Sequence, residues 1–299
     1  TVAVSVEEWS GEGLTGRKLT TEHFDIVSTV RDAEFEAALP AFLEAAYEQY
    51  EATLPGTVDV DTRLTTYIFG SRSEWMRFTR RRFPARYKVY SRIRAGGFTE
   101  GDQSVSFYAT RAAALATLAH EGWHQFVGAR LTTPIPAWLN EGLACYHEAV
   151  DFAGSAPRFT PRHNTFRINS LRDALKLDRL LPLSEIIDTN AGEVITHGHS
   201  GVAQVYYAQV WALVTFLKHG ADGRHAVGLQ LMLDHIADGS FHVRSSAARL
   251  TEEGGWKESA AQSAFRTYFS HSVEEIAEPY HEHLMRIAGF RAGGAPTPQ

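Results

Sequence analysis

Cysteine is almost absent from this chain. Cys145 is the single one among 299 residues, so no intramolecular disulfide can brace the fold and stability must come from a packed core. Long apolar runs are missing too. The most hydrophobic stretch, Val205 to Leu217, is interrupted by Gln209 and followed by Lys218, and it falls short of the roughly 18 to 20 apolar residues that span a bilayer. It reads as a buried helix, and no transmembrane segment is expected. Neither sign of charge dominates overall. The balance of 29 basic and 35 acidic residues is 29 − 35 = −6, which argues against nucleic acid as a partner. Internal repeats are absent as well, which excludes a solenoid.

What remains is a composition that folds. Apolar residues make up 44% and charged residues 21%, enough to bury a sizeable core in one large domain or two packed ones. The chain opens at Thr1 rather than at methionine, which an excised signal peptide would explain, and a secreted or cell-envelope protein is the expectation.

Periodicity divides the chain. Strands are predicted at His23–Ser28, Thr65–Phe69 and Val105–Tyr108, with helices at Asp32–Tyr50 and Ser73–Arg82. From Arg111 nearly every segment has helical spacing, with helices predicted over 111–127, 137–149, 202–219, 223–237, 259–269 and 272–288. The expected fold class is α+β. Residues 1–110 form an α+β part, 111–290 a mostly helical part packed against it, and 291–299 a flexible tail.

The chemistry concentrates in Leu118 to Phe126, which contains His120-Glu121-Gly122-Trp123-His124. Residues i and i+4 of a helix share a face, so the two imidazoles can address one metal ion. Glu121 lies about 100° further round, off the ion but within reach of a water beside it, as a general base would. Ala113, Ala116 and Thr117 on the histidine side are small, and Gly128 is a candidate left-handed cap for the helix. By chance alone two histidines could merely pack or face solvent, so a second signal is required. It follows at Pro134 to Tyr146, where Pro136 suits a helix start and Glu141 comes one turn later. Two imidazoles and a carboxylate leave the fourth zinc position open, as a catalytic site requires, and Gly142 would allow the helices of His120 and Glu141 to approach closely. The alternative is that Glu141 is a solvated helix carboxylate.

These motifs resemble the gluzincin metallopeptidases, and within them the peptidase-MA-like group. Trp138 to Ala144 is similar to the group's Trp-Leu-x-Glu-Gly-Leu-Ala helix, and Tyr207 to Val214 to its later Tyr-Ala-Gln-x-Trp-Ala-Leu-Val helix. The resemblance implies a zincin-like fold, one zinc per chain held by His120, His124 and Glu141, Glu121 as base, and a peptide or protein substrate. It also implies that Asn140 orients a ligand histidine and that Tyr207 stabilises an oxyanion. Two features depart from the thermolysin pattern: the gap to Glu141 is shorter, and Cys145 stands where an aspartate would support a ligand. Metzincins are excluded by Val127 and Arg130.

Other features carry two readings. Tyr207 could equally be core packing, as its neighbour Tyr206 is expected to be. His197 and His199 could form a second metal site or polarise substrate. Gly96-Gly97-Phe98 begins a candidate edge strand for substrate, although Thr99 occupies the place of the aminopeptidase glutamate. The basic stretch Arg77 to Arg94 could attract an acidic polymer or an anionic surface, or be a solvated face. The rival to a peptidase is an inactive zincin-fold binding or scaffold module. Glu121 separates the two, because a structural metal site needs no base.

Overall fold

The structure, a computed structural model, describes residues 2–57, 62–132, 135–152, 156–189, 201–241 and 259–290. The architecture is α+β: a six-stranded sheet comes first and a mostly helical half follows. The chain divides into two compact units. One contains Thr1–Thr53, Thr57–Arg130 and His147–Pro161, the other Leu54–Gly56, Leu131–Tyr146 and Arg162–Gln299.

The first unit begins with a hairpin of β1 (Ser5–Gly11) and β2 (Leu14–Thr20). Its two-residue turn puts Glu12 and Gly13 at φ of 52° and 73°, the paired positive angles that suit the twist of a tight hairpin. Then come β3 (Phe24–Ser28), β4 (Leu64–Phe69), β5 (Gly97–Glu100) and β6 (Gln103–Phe107), in the spatial order β1-β2-β3-β4-β6-β5. The β3–β4 and β4–β6 pairs are parallel, so helical crossovers join them: α1 (Ala33–Thr53), then α2 (Arg72–Arg82) with the short α3 (Tyr87–Tyr90). The remaining pairs are antiparallel, and β5 is an edge strand.

Strand alternation gives the sheet two different faces. Phe69, Phe98, Val105 and Phe107 pack with Trp75 and Phe78 of α2, and the Trp75 indole N–H donates to the Val105 carbonyl at 3.1 Å. The opposite face carries Thr66, Gly97, Thr99, Ser104 and Ser106. Such small residues let a helix come close, and α4 (Arg111–Arg130) lies there, packed also against α1.

The second unit is helical: α5 (Ala137–His147), α6 (Thr165–Lys176), α7 (Leu183–Asp188), α8 (Val202–His219), α9 (Ala226–Ala237), α10 (Ala260–Phe269) and α11 (Val273–Ile287). Every α8 residue from Tyr206 to Leu217 except Tyr207 is buried, so α8 is the hub on which α6, α9 and α11 pack. The α11 start is closed by a capping box between Ser272 and Glu275.

The strands and helices that periodicity placed appear, but other elements were not expected and one helix end moved. The β1–β2 hairpin had no expectation, because β1 is largely exposed and neither strand shows apolar alternation. The helices α6 and α7 were also missed; α6 starts at a capping Asn164 and buries only Arg167, Leu171 and Ala174. Gly128 does not end α4. The helix continues to Arg130, whose guanidinium lies 5.0 Å from the Tyr47 ring and 4.5 Å from the Phe126 ring and pairs with Glu51 at 3.6 Å. Those contacts hold the last turn in place.

The α1–α4 contact explains a glycine in the motif. The Tyr50 hydroxyl donates to the Ala119 carbonyl at 2.7 Å, and a Cβ on Gly122 would lie 2.7 Å from that same hydroxyl. Gly122→Ala is therefore expected to cost roughly 1–3 kcal/mol in urea unfolding, the usual range for overpacking. Removing the hydroxyl with Tyr50→Phe should make the alanine less costly. Equal costs in the two backgrounds would separate Gly122 from Tyr50.

Candidate metal centre

Helix α4 has little freedom to rotate on the sheet. Gln125 is fully buried, donates to the carbonyls of Thr65 at 2.8 Å and Asp102 at 2.6 Å, and accepts from the Thr66 hydroxyl at 3.2 Å. With Ala119, Gly122, Trp123 and Phe126 facing inward, His120 and His124 come to the less buried side, beside the small residues Ala116 and Thr117.

The two Nε2 atoms of His120 and His124 are 3.2 Å apart, with ring centroids 4.9 Å apart. The other ring nitrogen of His120, Nδ1, is 2.9 Å from Oε1 of Glu148, which is buried. A carboxylate accepts, so Nδ1 carries the proton and Nε2 presents its lone pair outward. This is the partner that fixes the tautomer and aim of a metal-binding imidazole.

His120 and His124 are half-buried and bring two ring nitrogens together that could serve a metal ion, and Glu141, the third candidate ligand, is half-buried on α5.

Glu121 is 8% exposed and turned toward the sheet. The Thr99 hydroxyl on the edge strand β5 lies 2.8 Å from Oε2 of Glu121 and 3.1 Å from its backbone carbonyl. Beside it, a Cβ on Gly97 would come within 2.8 Å of the Val105 carbonyl and 3.3 Å of the Glu121 Cγ, so this place in β5 requires glycine. The predicted edge strand thus exists, and its Thr99 bonds to the carboxylate of the histidine motif.

The remaining candidates are placed as follows. Asn140 is half-buried on α5 beside Glu141. Tyr206 is fully buried and its hydroxyl donates to the Thr189 carbonyl at 3.1 Å, while Tyr207 is half-buried with the Arg167 guanidinium 5.2 Å from its ring. His197 and His199 lie outside the described residues. Gly142 does permit a close approach, but to α8: a Cβ there would meet the Val210 carbonyl at 2.7 Å and Val214 at 2.6 Å. Glu148 was missed. The support for His120 was sought one turn beyond Glu141, at Cys145, whereas the carboxylate stands seven residues beyond. Glu148 lies just past the end of α5, and no spacing along the chain pointed to it.

A family model described as a protein of unknown function, DUF1570, matches residues 114–226, a span that includes His120, Glu121, His124, Glu141 and Tyr207. No curated protein matches the chain.

Loss of the Glu148 carboxylate should leave Nδ1 of His120 without its acceptor. Glu148→Ala is expected to weaken binding of a divalent metal by roughly 10- to 100-fold, read by competition with a chromogenic chelator. An unchanged affinity would show that Glu148 does not support the site.

Proposed function

We propose that this chain is a zinc-dependent peptidase of the gluzincin type. The observation that carries the reading is the pair of imidazole nitrogens 3.2 Å apart on one helix, next to a carboxylate that is not among their ligands. In a tetrahedral zinc site with bonds of about 2.0–2.1 Å, two nitrogens sit about 3.3 Å from each other. His120, His124 and Glu141 would hold the ion, a mixed nitrogen and oxygen donor set that suits zinc and leaves room for one further ligand.

Zinc, when bound, would supply a Lewis acid for the scissile carbonyl and for the attacking water. Glu121 then takes the proton of that water and passes it to the leaving amine. The Thr99 hydroxyl donates to Oε2 of Glu121, which holds the carboxylate in one orientation and leaves Oε1 to accept the proton. Glu148 keeps His120 aimed, and Asn140 is the candidate for a similar service within the ligand set. Tyr207 donates a hydrogen bond to the oxyanion of the tetrahedral intermediate. An extended peptide or protein segment would add to the outer side of β5 as a further strand.

The metal and the base are tested together. We expect about one zinc per chain by elemental analysis, lost in His124→Ala. Glu121→Gln should retain zinc and fold but cleave a peptide panel roughly 10²- to 10⁴-fold more slowly. Full zinc in the histidine variant, or wild-type turnover in the glutamine variant, sinks the corresponding role.

The tyrosines are tested against each other. Tyr206 is sealed in the core, so Tyr206→Phe should be mild in turnover. Tyr207→Phe should lower kcat by roughly 10- to 10³-fold with KM and zinc content nearly unchanged, because an oxyanion donor acts on the chemical step. Normal kcat in Tyr207→Phe removes this residue from the mechanism.

A further inference from the structure

Positive charge is packed into one short stretch of the chain. Residues 72–94 contain eight arginines and Lys88 against the lone carboxylate Glu74, a net of 9 − 1 = +8. With a total of −6, the rest of the chain sums to −6 − 8 = −14. Among the described residues these nine cations make one ion pair, Arg86 with Glu100 at 3.9 Å. Glu74 is taken by the Thr29 hydroxyl at 2.7 Å. Arginines in the last turn of α2 complement its dipole, which accounts for Arg80 to Arg82 but not for Arg77 or for the lack of neighbouring carboxylates.

Helical spacing gathers part of this charge into a concave site. Ser73, Arg77 and Arg80 stand at i, i+4 and i+7 on α2, and with Met76, Arg81 and Tyr87 they line a cavity of about 430 Å³. Two of its guanidiniums are held by backbone. Arg81 donates to the Glu12 carbonyl in the β1–β2 turn and lies where a Cβ on Gly13 would come within 2.6 Å, while Arg77 reaches the Gly13 carbonyl at 3.5 Å. Arg80 has no partner among the described residues. Met76 and Tyr87 supply an apolar and aromatic side. The helix α2 covers the sheet face opposite α4, so the site is separate from His120 and His124.

We infer that this cavity binds a ligand carrying clustered phosphates. Three guanidinium forks within two helical turns call for more charge than a single carboxylate brings. A phosphate monoester carries about −1.5 to −2 and offers three strong acceptor oxygens. The cavity has room for several linked phosphates or a phosphorylated headgroup. Soluble oligophosphate and a phosphoinositide headgroup share this chemistry.

The probe is tripolyphosphate, titrated calorimetrically into the full chain at low salt. Binding at one site per chain is expected. It should weaken by roughly tenfold or more in the double variant Arg77→Gln, Arg80→Gln, given the strength of hydrogen bonds to charged groups. The control Arg92→Gln, Arg94→Gln removes the same charge outside the cavity and should change affinity by less than about twofold. Circular dichroism checks that both variants fold. Absence of tripolyphosphate binding, or equal weakening in both variants, overturns the inference. Sedimentation with phosphatidylcholine vesicles, with and without phosphatidylinositol bisphosphate, separates the sources. Phosphoinositide-dependent recruitment lost in the cavity variant assigns the headgroup. Tripolyphosphate binding without recruitment assigns the soluble ligand.

Discussion

Gln125 stands one residue beyond His124 and ties α4 to two carbonyls and a hydroxyl of the sheet. Tyr50 ties the same helix to α1 from the other side, through the Ala119 carbonyl and the space that Gly122 leaves open. A helix clamped at two points on its buried side cannot roll. The directions of its outward residues are then decided by helical geometry alone, and His120 and His124 are presented side by side. The precision of the site therefore comes from buried residues that touch no metal, and a fixed platform is what a metal centre or a catalytic pair requires.

The two faces of the sheet divide the labour. Toward α2 the strands offer Phe69, Phe98 and Phe107, large rings that bury much area and anchor the fold. Toward α4 the strands β5 and β6 offer glycine, serine and threonine. Small residues bring the helix close enough for a strand hydroxyl to reach the Glu121 carboxylate, which a wall of aromatic rings would keep away. The charge follows the same division. The arginines lie on α2, away from the face that would carry the peptidase chemistry.

Much of this was legible in the chain itself. The 3.6-residue period placed α4 and α8, and the i, i+4 spacing of His120 and His124 made their convergence a matter of geometry. Local pattern failed where local pattern is weak. The β1 strand is mostly exposed and β2 buries only Leu14 and Leu19, which leaves no alternation to read, and Gly128 looked like a stop until the contacts of Arg130 carried the helix past it. Glu148 and Thr99 were invisible for a different reason. Each serves the motif from 28 or 22 residues away, and only the folded chain brings them within hydrogen-bond distance.

The sequence by itself determined the α+β class, the helical frame of the histidine motif and the candidate ligands, because these depend on spacing along one element or on residue chemistry. The tertiary structure decided which carboxylate steadies His120, which hydroxyl holds Glu121, which tyrosine is sealed in the core and which helix Gly142 lets in. Those choices depend on distances between elements far apart in the chain, and the pattern within any one element carries no record of them.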